Sequence, residues 1–438
     1  MYKKIISVII LIIMLTVFVS CGKKENVPQE DATPEPDNTD TISLKVVFNE
    51  TGKSIIKYGG GTNDGYYDVV QRIWNLEEQI SSGEFDNNIV YIDYSTKKLV
   101  YLCSDPSCRH NTEDCPSYIK SSAGAIVFPV HNRLVCLRLG RSDGFAEKNE
   151  DLYAVILMES DGSNRTIYTL DAGESFPQPF IIISDGKRLF LQVISVNDQK
   201  TEKRIVSLDM DTLESRVETI IPMTYRLVSA YKEYMLFYDM GEMKNIVFSL
   251  SDKSFTESLS SVSGMYKDNM SIDIKYDVEI SDFSSIAKAK SVMVLVSDLQ
   301  KETITEYGPF DLEDNHGGVT VDDFYDDHVS INYYSHLNTN EEHVNYILDF
   351  STGECIKKEL LMYRNGWYDP VAIIANAGDS YLVINETVHA VQTFYDRQGV
   401  AHTVENNAYP KYALIKKDDY YSNIPNYEVI KDTLCDMN

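Results

Sequence analysis

The chain has 438 residues, with 67 Asp or Glu against 40 Lys or Arg and a formal charge of −27. So acidic a surface repels phosphate backbones and anionic lipid headgroups, which excludes nucleic acid as a partner and a mode of lying flat on a membrane. The length is large for one ordinary domain and natural for a repeat fold.

Lys3 and Lys4 precede an apolar run, Ile5 to Val19, interrupted only by Ser7 and Thr16. A positive start, a short greasy core and a small residue describe a secretory signal, since a membrane-spanning helix needs about 20 apolar residues. Phe18-Val19-Ser20-Cys21 resembles a bacterial lipobox. The resemblance implies cleavage after residue 20, lipidation of Cys21 and a membrane anchor on the extracytoplasmic face. Residues 22–41 are rich in Pro, Asp, Glu, Asn and Thr and nearly free of apolar side chains. Such a segment cannot offset its ordering entropy, so residues 21–41 are expected to form a disordered tether.

Residues 42–438 carry a unit that returns seven times: an apolar run, a polar turn and a second run. It occurs at Ile89–Leu102, Leu152–Leu170, Arg204–Ile220, Asn245–Leu259, Ser291–Phe310, Val344–Leu360 and Tyr412–Ile430. Asp, Ser, Gly, Asn and Lys cluster in the turns, which is hairpin chemistry. Strand-like partners precede the copies at Gly65–Val70, Arg133–Leu139, Arg188–Ile194, Tyr234–Asp239, Met270–Ile280, His328–Tyr334 and Ser380–Asn385. The repeat spacing, roughly 40 to 70 residues, suits propeller blades with loop insertions.

Ala154–Met158, Leu189–Leu191 and Val292–Val296 are apolar at consecutive positions. A strand buried on one face alternates, whereas a continuous run is buried on both. The middle strands of a blade packed between two neighbours meet that condition. A two-sheet sandwich, the competing fold, would alternate more cleanly. The expectation is therefore an all-β, seven-bladed β-propeller over residues 42–438. One segment reads as a helix: Asp68–Ser82 carries Val69, Ile73, Leu76 and Ile80 at helical spacing, in competition with a strand at Gly65–Val70.

Ser160-Asp161-Gly162-Ser163-Asn164, followed by Ile167 and Tyr168, resembles the strand–turn unit of TolB-like and YWTD-type propellers. The run Cys103-Ser-Asp-Pro106-Ser-Cys108-Arg-His110 resembles the C-x-x-P-x-C-x-H motif of DUF5050-like propeller lipoproteins of Gram-positive anaerobes. That family implies a fold and an address, and no activity.

With Cys115, this run places three cysteines and a histidine within 13 positions. Cys3His is a known zinc set, although C-x4-C-x-H-x4-C is not a standard zinc-finger spacing. Paired thiols outside a membrane usually oxidise, so a disulfide clip, a structural zinc site and free thiols all stand as readings of Cys103, Cys108, His110 and Cys115. Cys136 lies inside an apolar strand and reads as an inert buried thiol. Asp322, Asp323, Asp326, Asp327 and His328 form a weaker cation candidate, without the spacing of a calcium loop.

Catalytic signatures are scarce: G-x-S-x-G and the sialidase Asp-box do not occur. The expected role is a lipid-anchored, non-catalytic binding or scaffolding module whose partner is a glycan, a peptide or an envelope protein. Competing readings are a propeller hydrolase or lyase acting on extracellular polymers, and a TolB-like component of an envelope assembly.

Overall fold

The computed structural model describes residues 56–72, 85–121, 123–140, 152–197, 200–242, 244–260, 265–267, 270–279, 283–298, 301, 303–314, 316–334, 343–364, 367–395 and 401–434. The signal, Cys21, the tether and Cys435 lie outside them. A short strand β1 (Ile56–Tyr58) comes first. The first sheet holds β2 (Gly65–Arg72), β3 (Phe85–Asp93), β4 (Lys98–Tyr101) and β5 (Tyr118–Ser121). The second holds β6 (Ala125–Val130), β7 (Arg133–Arg138), β8 (Ala154–Glu159) and β9 (Thr166–Thr169). To the third belong β10 (Glu174–Ser175), β11 (Ile182–Ser184), β12 (Arg188–Asn197), β13 (Lys200–Asp209) and β14 (Ser215–Ile221).

The fourth sheet consists of β15 (Tyr225–Tyr231), β16 (Tyr234–Asp239), β17 (Lys244–Ser249) and β18 (Phe255–Ser260). In the fifth, β19 (Met265–Lys267) and β20 (Met270–Tyr276) are separated by a helical turn, α1 (Phe283–Ile286), from β21 (Ser291–Asp298) and β22 (Thr303–Asp311). The sixth has β23 (Gly318–Tyr325), β24 (His328–Tyr334), β25 (His343–Asp349) and β26 (Cys355–Lys357). A separate hairpin, β27 (Leu361–Arg364) and β28 (Trp367–Pro370), leads to the seventh. That sheet has β29 (Ala372–Ala377), β30 (Ser380–Tyr395), β31 (Ala401–Lys416), the short helix α2 (Lys417–Tyr421) and β32 (Glu428–Val429). Finally β33 (Lys431–Asp432) returns to pair in parallel with β4, so the C-terminus supplies the outer strand of the first sheet.

Packing closes these sheets into a ring. Ile89 and Ile119 of the first meet Val127, Leu134, Ile156 and Met158 of the second. The second packs on the third around Leu137, Val155, Leu189 and Leu208, and the third on the fourth around Phe190, Met235 and Phe237. Strands β15 and β19 join the fourth to the fifth, and Ile274, Val294, Val329 and Leu348 join the fifth to the sixth. Ile347 meets Tyr381, Val383 and Ala413 between the sixth and seventh, and Leu382 and Leu414 meet Val90 and Ile92 to return to the first. The fold is a seven-bladed β-propeller. Burying each of these aliphatic and aromatic side chains contributes about 1.5–3 kcal/mol, so the seams between blades hold the ring.

Position within a blade follows from burial. The middle strands β7, β8, β16 and β21, and Leu189–Val193 of β12, are almost wholly buried, as their continuous apolar runs require. Exposed residues dominate β14, β22 and β26, which lie outermost. The first strand of each blade faces the axis, where β2 lies beside β6, and β19 beside β15 and β23. Strand β1 pairs with the free axial edge of β11 and lies against β6 and β15, so the hub of the ring carries a strand of this chain.

One turn recurs in the hairpins β3–β4, β13–β14 and β25–β26. Asp93, Asp209 and Asp349 each accept the amide of the residue two positions on, at 2.8, 3.0 and 2.7 Å. Four residues beyond each Asp, the chain enters the left-handed region at Lys97, Leu213 and Gly353. The carboxylate satisfies turn amides that no strand partner reaches, which is why Asp occupies this position. The helix read at Asp68–Ser82 is corrected over its described part: Gly65–Arg72 pairs along its whole length with β3, and that ladder overrides helical spacing.

Candidate metal centre

The third lane of the first blade is split. Strand β4 pairs with Val90–Asp93 and β5 with Phe85–Asn88 on the same edge of β3, and the Cys/His loop fills the gap between the two half-strands. Leu102 N–H still bonds to the Ile89 carbonyl, and Ile89 N–H bonds to the Ser117 carbonyl at 2.7 Å. Both ends of the loop are therefore fixed at one residue of the central strand.

Within the loop, the sulfurs of Cys103, Cys108 and Cys115 and a ring nitrogen of His110 lie within 4.8 Å of one another. His110 Nδ1 is 3.4 Å from Cys115 Sγ. Zinc at about 2.3 Å from sulfur and about 2.0 Å from nitrogen gives tetrahedral edges of about 3.5 to 3.8 Å; the His110–Cys115 pair matches that edge, and the other donors lie close enough to hold an ion. Each sulfur also accepts an amide from the residue two positions on. The Asp105 N–H reaches Cys103, the His110 N–H reaches Cys108 at 3.3 Å, and the Ser117 N–H reaches Cys115. The amides at Cys103 and Cys115 favour thiolate over thiol. Burial opposes them, pushing Cys115 up to about 12 and Cys103 upward. A divalent cation reverses that balance, because a coordinating thiol is deprotonated.

The surroundings orient the set. His110 adopts a left-handed backbone, φ 56°, which turns its ring back toward the sulfurs, and Tyr101 stacks on that ring at 4.1 Å. Asn88, fully buried on β3, donates to the His110 carbonyl at 2.8 Å and to Ser117 Oγ at 3.2 Å. Asp105 closes the tight turn before Cys108, accepting from the Ser107 amide and hydroxyl at 2.8 and 2.7 Å. From the second blade, Arg165 donates to the Tyr118 carbonyl at 2.6 Å and to that of Pro116. Sequence reading reached the four donors but not Asn88, Ser117 or Arg165, which are ordinary residue types at a distance along the chain.

Cys136 is fully buried in β7 and burial pushes its thiol up to about 12, the environment of an unreactive core cysteine. The five described cysteines, these four and the exposed Cys355, are free. Asp326 and His328 share the β23–β24 turn. Asp326 accepts from Tyr381 at 2.6 Å and pairs with Lys417 at 2.9 Å, so a lysine already neutralises it. His328 stacks on Tyr421 at 3.6 Å, and burial draws its pKa down. The side chains of Asp322 and Asp323 lie outside the described residues, and the Asp327 carbonyl accepts the Phe350 amide. Among the described residues, the Cys/His set alone brings three or more donors close enough to hold a metal ion.

No family model matches the sequence, and no curated protein matches it. Among solved structures, an oligogalacturonate lyase in complex with manganese is similar at 9% identity and a TM-score of 0.41, covering 87% of this chain and 98% of that one. TolB from Acinetobacter baumannii is similar at 12% identity and a TM-score of 0.32, covering 76% and 74%. The β-propeller domain of the Trilobed protease from Pyrococcus furiosus is similar at 11% and 0.34, covering 69% and 96%. Likenesses this distant transfer no activity; the fold rests on the sheet order and seams of this chain.

Proposed function

We propose that this protein is a lipid-anchored propeller on the extracytoplasmic face of a membrane, a non-catalytic binding or scaffolding module whose first blade is pinned by a structural zinc ion. One observation supports the reading: four protein donors lie within 4.8 Å of one another, the number that a structural zinc site uses, whereas catalytic zinc keeps three protein ligands and an open position for water or substrate. A disulfide would use two of the three sulfurs and leave the third, with His110, unexplained. The lipobox-like Cys21 supports the anchor, and the acidic surface supports a partner that is a glycan, a peptide or an envelope protein rather than a polyanion.

Metal analysis of the mature chain, purified without chelator, tests the centre: one zinc per chain is expected. A native disulfide within Cys103, Cys108 and Cys115, with no metal, overturns it. Cys21→Ser tests the anchor, and is expected to move the protein from membrane to medium. A pull-down from mildly solubilised membranes tests the module, and recovery of polymer-cleaving activity in the pure protein would replace this reading with an enzymatic one.

A further inference from the structure

We propose that Arg165 of the second blade is the counter-cation of the metal centre in the first, a positioning residue that sets how tightly the ion is held. The inference rests on the metal reading above. The guanidinium is half-buried and donates to three neutral carbonyls: Gly162 at 3.1 Å, Tyr118 at 2.6 Å and Pro116. Pro116 and Tyr118 belong to the segment that follows the ligand Cys115, so the arginine grips the return limb of the loop. Pro116 is joined directly to Cys115, so these contacts hold the guanidinium beside a ligand of the ion.

Charge arithmetic fixes the sign. Three thiolates, a neutral imidazole and a divalent ion sum to one net negative charge, which one guanidinium cancels. The turn that presents it is shaped for the task. Gly162 has φ 82°, and a Cβ there would lie 2.4 Å from the Pro116 carbonyl oxygen, so only glycine lets the β8–β9 turn seat against the metal loop. The Ser160–Asn164 turn thus acquires a role: it carries a cation from one blade to the metal site of the next.

Zinc affinity of the full mature chain, measured by competition with a chromophoric chelator, tests this. Arg165→Gln is expected to weaken zinc binding about tenfold or more, the usual range for groups that support metal ligands, while Arg165→Lys retains most of the affinity. Melting is recorded for each variant with zinc and with excess chelator. A charge role shrinks the gain in melting temperature that zinc confers; a purely structural role lowers both curves equally and leaves the gain intact. Wild-type affinity in Arg165→Gln, or an unchanged zinc-dependent gain, overturns the proposal. No zinc bound by the wild type overturns the metal centre itself.

Discussion

Tyr412, on the third strand of the last blade, donates its hydroxyl to the carboxylate of Asp68 on the first strand of the first. The contact spans the seam at which the ring returns to its start, and burial raises the pKa of Asp68 above the usual carboxylate range. Removing the donor leaves a buried acceptor unsatisfied, so Tyr412→Phe is expected to cost about 1–3 kcal/mol in chemical denaturation. Asp68→Asn keeps an acceptor for Tyr412 and removes a charge that burial disfavours. The native state holds its proton more tightly than the unfolded chain, so Asp68 erodes stability as pH rises from the ordinary carboxylate range through its raised value. Asp68→Asn should flatten that slope and match or exceed the wild type at neutral pH.

Cysteine substitutions should divide by position. Cys103→Ser, Cys108→Ser and Cys115→Ser are each expected to abolish stoichiometric zinc and lower the melting temperature by about 5 °C or more. Cys136→Ser puts a hydroxyl into the seam between the first two blades and should destabilise while leaving the zinc content whole. Cys355, exposed on β26, should tolerate serine with no change in either reading. Metal analysis beside a thermal melt separates the three classes.

The closing strand can be tested by removal. Lys431 N–H bonds to the Lys97 carbonyl at 2.8 Å, and Thr433 Oγ1 donates to the Leu99 carbonyl at 2.7 Å. Thr433→Val should cost about 1 kcal/mol. Deleting residues 431–438 strips the edge of β4, exposes the cluster that Leu434 helps to cover, and should lower the melting temperature well beyond the point variant.

The recurrent Asp turns predict an acid limit. Amides of Thr212 and Asp211 hold Asp209 down at about 2, and the Ser351 hydroxyl and amide do the same for Asp349. Because the folded values lie below the unfolded ones, these carboxylates stabilise the protein fully above about pH 4 and lose that contribution as pH falls toward 2. Asp209→Asn with Asp349→Asn should lower stability at pH 7 and flatten its decline between pH 4 and 2, read from melts across that range.

The seven repeated hairpins and most middle strands were legible because burial on both faces writes itself as consecutive apolar residues, as at Ala154–Met158. The axial strands were harder. Strand β11 has three residues, and β29 mixes half-buried with exposed positions, so neither carries a period. At the metal centre, closeness along the chain revealed Cys103, Cys108, His110 and Cys115. Arg165 and Asn88 had no such signal, since the fold alone brings them to the loop. The nearest clue was Gly162, whose turn could have been asked what it packs against. Strand β1 was equally hidden, because three residues paired to a distant edge leave no pattern of their own.

The first sheet borrows its outermost strand from residues more than three hundred positions downstream; Thr433 and Leu99 are 334 apart. During synthesis, the earliest sheet to emerge must therefore wait, unfinished, until residues 431–433 are delivered. A product that stops before Lys431 leaves that edge open and ready to recruit another chain, so premature termination there should yield aggregation.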